Sequence, residues 1–197
     1  MRGAYGVVVL AGRESPGPSL LHSVRDALAS GAAEVVVVVG SEAARARLRG
    51  LPVRTVVAQG GLGDSVAAGV ARLGGRIESA VVTLANRTRV TSEHLRALAR
   101  SLGERTVVAS TYDGVVGAPA AFSRSEFPRL LALSGAEGAK SLLEGAATID
   151  FAAGNVRAIS PLATKTIAFG TPRLKPVAAR YRPSRAPPVL ALSFARP

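Results

Sequence analysis

The sequence has no cysteine among its 197 residues. This absence excludes a disulfide scaffold, a zinc site built on cysteine and a thiol nucleophile. Tryptophan is also absent and aromatic residues make up only 4% of the chain, so a core must be built from Val, Leu, Ala and Ile. The only two histidines are His22 and His94, too few for a metal site made of histidine alone. We interpret His94, near a predicted helix start, as a surface histidine. His22 lies within the first predicted helix, without an obvious Cys, His or carboxylate cluster.

The sequence also lacks an apolar run long enough to span a membrane. The longest run, Val35–Val39, is far shorter than the roughly 20 residues that a membrane helix needs. The N-terminus has neither the longer apolar stretch nor the small-residue cleavage site of a signal peptide. We therefore expect a cytoplasmic protein without membrane contact. The apolar share of 48% allows a sizeable core, and the length predicts one domain, with or without a tail.

Acidic residues are missing from the C-terminal part of the chain. All 13 acidic residues lie at or before Asp150, whereas residues 151–197 carry eight of the 25 basic ones. Of the net charge of +12, residues 1–150 therefore hold 17 − 13 = +4 and residues 151–197 hold +8. From Thr171 onward the chain is rich in Pro and Arg without a period, so we predict a folded domain over 1–170 and an extended basic tail over 171–197.

A basic tail attracts nucleic acid or an acidic partner protein, since binding releases counterions. Two other interpretations stay open. The tail is a solvated terminus with no partner, or it reflects an altered reading frame of a GC-rich gene.

Short β-branched apolar segments alternate with segments of helical periodicity along most of the chain. The predicted strands are Gly6–Ala11, Glu34–Val39, Val53–Ala58, Ser79–Ala85, Arg105–Ser110 and Ala118–Phe122. The predicted helices are one capped by Ser19 and ended by Gly31, then Ser41–Leu48, Asp64–Leu73, Thr91–Leu102, one opened by a Ser123/Glu126 capping box and running through Leu133, and Gly138–Leu143. Continuously apolar strands separated by amphipathic helices predict a mainly parallel sheet in a three-layer α/β/α sandwich.

Ligands of such folds lie beyond the carboxyl ends of the strands. The loop Gly12–Pro18 joins the first strand to a helix N-terminus, where exposed amides and the helix dipole favour phosphate and Arg13 adds a positive charge. Two prolines remove two N–H donors from this loop, and it matches no standard phosphate-binding motif. A plain connector between strand and helix therefore stays an equal interpretation.

Two further loops at this edge are candidates. Gly61 and Gly63 allow the backbone to approach a flat ligand, and Ser65 offers a hydrogen bond; the alternative is a helix N-cap by Asp64. Asn86 follows the fourth strand, where a nucleotide enzyme places a metal-binding carboxylate, but it offers only a neutral oxygen. We find no Ser-His-Asp arrangement and no credible carboxylate pair.

The order of five segments resembles the molybdenum cofactor nucleotidyltransferase family, the MobA/MocA-like group, especially its cytidylyltransferase branch. The segments are VVVLAG (7–12) with SLL (19–21), GLGDSVAAGVARL (61–73), VVTLANRTRVTSEHLRAL (81–98), YDGVVGAPAAF (112–122) and SGAEGAKSLL (134–143). Together they cover roughly residues 5–145. The resemblance implies a Rossmann-like nucleotidyltransferase fold. It also implies a magnesium-dependent reaction that joins the monophosphate of CTP or GTP to molybdopterin and releases pyrophosphate.

The resemblance also implies nucleotide-binding residues. They are Leu10, Ala11, Gly12, Arg13, Gly61, Gly63, Ser65 and Asn86. The chain departs from the family pattern at charged positions, because Ser19 stands where the family has Lys, Asn86 stands where it has Asp, and Ile159–Leu162 occupy the place of a late acidic segment.

These departures remove the ligands for Mg²⁺ and the triphosphate, so we predict no metal-binding residues and impaired or lost catalysis. As a separate hypothesis, Arg13, Arg87 and Arg89 supply positive charge near the triphosphate without metal. One alternative is an active cytidylyltransferase-like enzyme with rearranged metal ligands. The other is a non-enzymatic binding module that acts through its basic tail.

Overall fold

The computed structural model describes residues 3–12, 17–86, 89–112, 114–152 and 155–160. The strands are β1 Ala4–Leu10, β2 Glu34–Val39, β3 Arg54–Val57, β4 Ile77–Leu84, β5 Val107–Tyr112, β6 Val115–Ser123, β7 Ala147–Ala152 and β8 Asn155–Ser160. The α-helices are α1 Gly17–Ala29, α2 Glu42–Ala46, α3 Leu62–Val70, α4 Ser92–Ser101 and α5 Phe127–Leu131, with 3₁₀ turns at Arg124–Glu126 and Lys140–Leu143.

The strands form one sheet in the order β3-β2-β1-β4-β6-β5-β7-β8. β1 pairs in parallel with β2 and β4, β2 with β3, and β5 with β7, whereas β6 and β8 run antiparallel to their neighbours. The predicted mainly parallel sheet is confirmed. The strands β1, β2, β3 and β4 all end at one side of the sheet, which we call the carboxyl edge.

Helices cover both faces of the sheet. Alternate residues of β1 point to opposite faces: Val7 and Val9 join the cluster that contains residues of α1 and α4, and Val8 and Leu10 join the cluster that contains residues of α3 and α5. The central valines are completely buried. A strand buried on both sides favours apolar residues at nearly every position, which explains the long apolar runs. The three-layer α/β/α Rossmann-like fold is confirmed.

Two strands were not among the predicted elements. β7 adds to β5 in parallel, and β8 completes the sheet as an antiparallel edge strand. Their sequences, ATIDFA and NVRAIS, mix charged and apolar residues. Pairing with residues far away in the chain therefore decides their conformation more than local propensity does.

Several predicted helix ends were wrong. Gly138–Leu143 holds only the 3₁₀ turn Lys140–Leu143. The side chain of Ser123 makes no cap bond and instead contacts the Ser125 hydroxyl, while Glu126 pairs with Arg129, so the predicted capping box is absent. α5 then ends at Leu131 rather than Leu133.

The N-caps of α1 and α3 differ from the residues considered for them. α1 already begins at Gly17, so Ser19 lies inside its first turn and is not the cap. Gly61 is the N-cap of α3, and Asp64 is its third residue. The oxygens of Ser41 and Thr91 do accept backbone N–H groups and cap α2 and α4.

The predicted boundary between a domain over 1–170 and a tail over 171–197 lies outside the described residues. Within the part of the chain that the structure describes, no helix has the length and apolar character needed to cross a membrane.

Candidate functional site

The carboxyl edge brings the ends of four strands side by side. The ladder continues one residue past β1, β4 and β3, since Ala11 N donates to Val38 O at 2.8 Å, Ala85 N to Leu10 O at 2.9 Å and Ala58 N to Val39 O at 3.0 Å. The chain therefore leaves the sheet at Gly12 after β1 and at Asn86 after β4, and these two strands are neighbours. Of the residues predicted to bind nucleotide, Leu10, Ala11, Gly12 and Asn86 come together here.

Leu10 and Ala11 offer a ligand only their backbone. Their side chains are buried in the two opposite core clusters. Gly12 is exposed, and Arg13 lies outside the described residues. Among the described residues, a ligand at the end of β1 would therefore meet main-chain groups.

A buried serine of α1 binds the end of β4. Ser23 of α1 donates its hydroxyl proton to Ala85 O at 3.1 Å. Asn86, the next residue, is exposed beyond this anchor. The strand end is thus bonded to α1, and the side chain that follows it is a neutral amide.

The glycine-rich segment at the start of α3 packs against a second segment of the chain, residues 134–136. A Cβ on Gly61 would lie 2.1 Å from Gly135 O, and one on Gly63 would lie 2.6 Å from Ser134 O. Gly63 N also donates to Gly135 O at 2.8 Å. Glycine is required at both positions because the chain's own backbone fills the space beside them.

Two polar side chains complete this contact. Asp64 Oδ2 accepts from Gly61 N at 2.7 Å and from Gly135 N at 3.1 Å. The Ser65 hydroxyl donates to Gly61 O at 3.1 Å. We call the arrangement of residues 60–65 with residues 134–138 the glycine clasp. The sequence pattern did not reveal it, although glycines recur in both segments.

His94 is buried rather than on the surface, so that prediction was wrong. Only 1% of the residue is exposed, and its Nε2 lies 2.7 Å from the Ser110 hydroxyl. Ser110 in turn donates to Pro119 O at 2.7 Å. Since the Ser110 hydroxyl gives its only proton to Pro119 O, Nε2 of His94 must carry a hydrogen and donate it to the Ser110 oxygen. Desolvation by burial lowers the pKa of His94 from 6.5 to about 4, so the ring is neutral at pH 7.

His22 has one acidic neighbour. Its Nε2 lies 3.2 Å from Asp26 Oδ2 one helical turn later, and Asp26 Oδ1 accepts from Ser92 N at 3.3 Å. The pair joins α1 to the start of α4. It forms no larger cluster, because no group of three or more His, Asp or Glu suited to a metal ion occurs among the described residues.

Among the described residues, the side chains at the carboxyl edge do not make up a site for a divalent cation. Mg²⁺ sites in proteins use one or two carboxylates. Asp64 uses Oδ2 to accept two backbone amides, and the end of β4 carries the side-chain amide of Asn86 instead of a carboxylate. Asp150 pairs with Thr111 on the far side of β5, three strand spacings from β4, or roughly 14 Å at about 4.8 Å per strand.

Comparison with known proteins agrees with this architecture. The structure of Rv0371c from Mycobacterium tuberculosis is 24% identical, with a TM-score of 0.67 over 84% of this chain and 95% of that one. A manganese complex of Rv0371c matches with a TM-score of 0.64 over 76% and 90% of the two chains at 24% identity. A nucleotidyl transferase from Methanothermobacter is 20% identical, with a TM-score of 0.55 over 67% and 77%. No curated protein matches the sequence.

The sheet order and the strand ends at the carboxyl edge define a nucleotidyltransferase fold. The family model for the MobA-like NTP transferase domain matches residues 7–151. The chain belongs to this family, as the order of its sequence motifs predicted.

Proposed function

We propose that this protein binds a nucleoside triphosphate at the carboxyl edge and transfers the nucleotide poorly or not at all. CTP or GTP, with molybdopterin as acceptor, are the substrates that the sequence resemblance implies. The observation that carries the proposal is the exposed Asn86 at the end of β4, in the place of a metal-binding carboxylate.

Support for nucleotide binding comes from the backbone at the strand ends. β1 ends in main-chain groups next to the start of α1, a helix of 13 residues whose N-terminus favours negative charge. Arg89 is exposed in the segment between β4 and α4 and adds a positive charge. Such an edge suits a phosphate chain without requiring a side-chain carboxylate.

Support for impaired transfer comes from charge. Phosphoryl transfer depends on placing the groups and on neutralising the charge that develops on the phosphate oxygens. Removing one group that stabilises this charge costs roughly 10²–10³ in rate. This chain has Ser19 in place of the family's Lys, which removes a positive charge, and Asn86 in place of the Asp that holds the metal ion, which removes a carboxylate ligand.

Titration calorimetry with CTP and GTP, with and without Mg²⁺, tests binding and metal dependence together. We expect binding of one nucleotide and little effect of Mg²⁺. Incubation with nucleotide, Mg²⁺ and molybdopterin then tests transfer, and we expect little pyrophosphate. Rapid release would contradict impaired catalysis and favour an active enzyme with rearranged ligands. Release in EDTA would point to charge neutralisation by Arg13, Arg87 and Arg89.

The Asn86→Asp variant tests the position that carries the proposal. If the rest of a cation site persists, Mg²⁺ should strengthen nucleotide binding and pyrophosphate release should rise. Asn155→Asp is the matched control, since it makes the same change on β8, four strands away from β4. If the two variants behave alike, restoring the carboxylate is insufficient because further ligands are missing.

The alternative of a binding module rests on the basic residues after Asp150. It predicts nucleic acid or acidic protein binding that weakens steeply with salt and disappears when residues 171–197 are deleted. A truncated chain that binds CTP or GTP unchanged would separate this activity from the nucleotide site.

A further inference from the structure

The glycine clasp joins two segments that are 71 residues apart in the sequence. Backbone meets backbone at Gly63 N and Gly135 O, and there is no space for a Cβ on Gly61. Gly138, with φ of +61°, lies against Leu62, since a Cβ on it would come within 2.7 Å of Leu62 Cδ2. The clasp is therefore a tight junction whose geometry depends on a few polar contacts.

One carboxylate oxygen connects the two halves of this junction. Asp64 Oδ2 accepts Gly61 N–H from its own helix start and Gly135 N–H from the other segment. Hydrogen bonds to an ionised acceptor are shorter and stronger than neutral ones. Gly61 N is also among the first amides of the helix, which have no partner within the helix itself.

The clasp lies next to the strand ends where a nucleotide would bind. Ala58, after β3, and Ala11, after β1, both donate a backbone hydrogen bond to β2, which lies between these two strands. Residues 59–61 therefore leave the sheet two strands away from Gly12. A shift of the clasp would move this wall of the carboxyl edge. Ser65, a predicted nucleotide-binding residue, is tied to the same turn through Gly61 O.

We propose that Asp64 is a positioning residue for nucleotide binding: its carboxylate holds residues 134–136 against the start of α3 and thereby shapes the nucleotide pocket. This inference rests on the proposed function, because it requires that the carboxyl edge binds nucleotide. Asp64 would not touch the nucleotide itself.

The test combines hydrogen exchange with nucleotide titration on the full chain. Asp64→Ala removes the acceptor, and Asp64→Asn keeps a neutral one. Amides of residues 134–136 should exchange faster in Asp64→Ala and to a lesser extent in Asp64→Asn. The Kd for CTP or GTP should rise roughly tenfold or more in Asp64→Ala and less in Asp64→Asn, as expected for losing one or two charge-assisted bonds. In the wild type, nucleotide should protect residues 134–136 from exchange.

Glu42→Gln is the matched control. Glu42 is also an acidic residue in the first turn of a helix, but its exposed side chain contacts only Arg45 of the same helix. It should change neither the exchange of residues 134–136 nor the Kd.

Each contrary result has its own meaning. Faster exchange with an unchanged Kd would overturn the positioning role and leave a purely structural carboxylate, with the proposed nucleotide binding intact. Unchanged exchange of residues 134–136 in both Asp64 variants would show that Asp64 does not hold this segment in place, and it would overturn the proposal. If Asp64→Ala does not fold, Asp64→Asn and the wild-type protection experiment decide. A wild type that binds neither nucleotide would refute the proposed function itself, and this inference with it.

Discussion

Lowering the pH from about 7 to 5 is expected to destabilise the protein through His94. The ring is buried between α4 and the β5–β6 hairpin, and Nε2 donates to the Ser110 hydroxyl. Burial lowers the pKa of His94 to about 4, because the charged ring would lose its hydration. The unfolded chain, with the ordinary value of 6.5, therefore takes up the proton first.

The sign and size follow from proton linkage. A histidine whose folded pKa lies below its unfolded pKa contributes stability above pH 6.5, and this stability is lost as the pH falls towards 4. Each pKa unit corresponds to about 1.4 kcal/mol, so the full effect of the shift is roughly 3 kcal/mol. At about pH 5 the unfolded residue is protonated and the folded one is mostly neutral, so about 2 kcal/mol should already be lost.

Urea unfolding at a series of pH values between 7 and 5 measures this loss. Other groups titrate in the same range, so the wild type must be compared with His94→Gln, whose amide can donate to Ser110 but cannot gain a proton. The difference in unfolding free energy between the two proteins should shrink by about 2 kcal/mol over this interval. A difference that stays constant would refute the reasoning, since it would mean that His94 titrates alike in both states.

Two further substitutions test the contacts at the carboxyl edge. Gly63→Ala should destabilise the protein by about 1–3 kcal/mol in urea unfolding, because its Cβ would meet Ser134 backbone atoms at 2.6–2.8 Å. Gly75→Ala is the control and should be close to neutral, because a Cβ there would meet no atom within 4 Å. Equal effects of the two substitutions would contradict the tight junction. Ser23→Ala should cost about 1 kcal/mol, since it removes the bond to Ala85 O. Hydrogen exchange should also rise at the end of β4, and unchanged exchange there would show that Ser23 does not anchor this strand.

The family resemblance predicted more about the function of this protein than any single residue did. The five motif segments predicted a match that the family model confirms over residues 7–151. The nucleotide-binding residues named from the motifs remain predictions. The structure adds that a Cβ on Gly61 or Gly63 would meet the chain's own backbone, so glycine is needed at both positions for the clasp to form.

The errors at individual residues have a common origin. His94 lies close to a helix start, and local position predicted exposure, yet the helical face that carries it is turned towards β5 and Ser110. The residue type of Asp64 is typical of an N-cap. Its acceptor role across to Gly135 depends on a segment 71 residues away, which no local pattern can reveal.

The order of amino acids by itself determined the layers and the parallel core of this protein. Unbroken valine runs can be buried only in strands covered on both faces, and the helical periodicity between them supplies the covers. The addition of β7 and β8, the burial of His94 and the glycine clasp were decided by the tertiary structure alone. Each of these features depends on which distant segments pack together. The native packing minimises exposed apolar surface and unpaired polar groups over the whole chain, which no single segment determines.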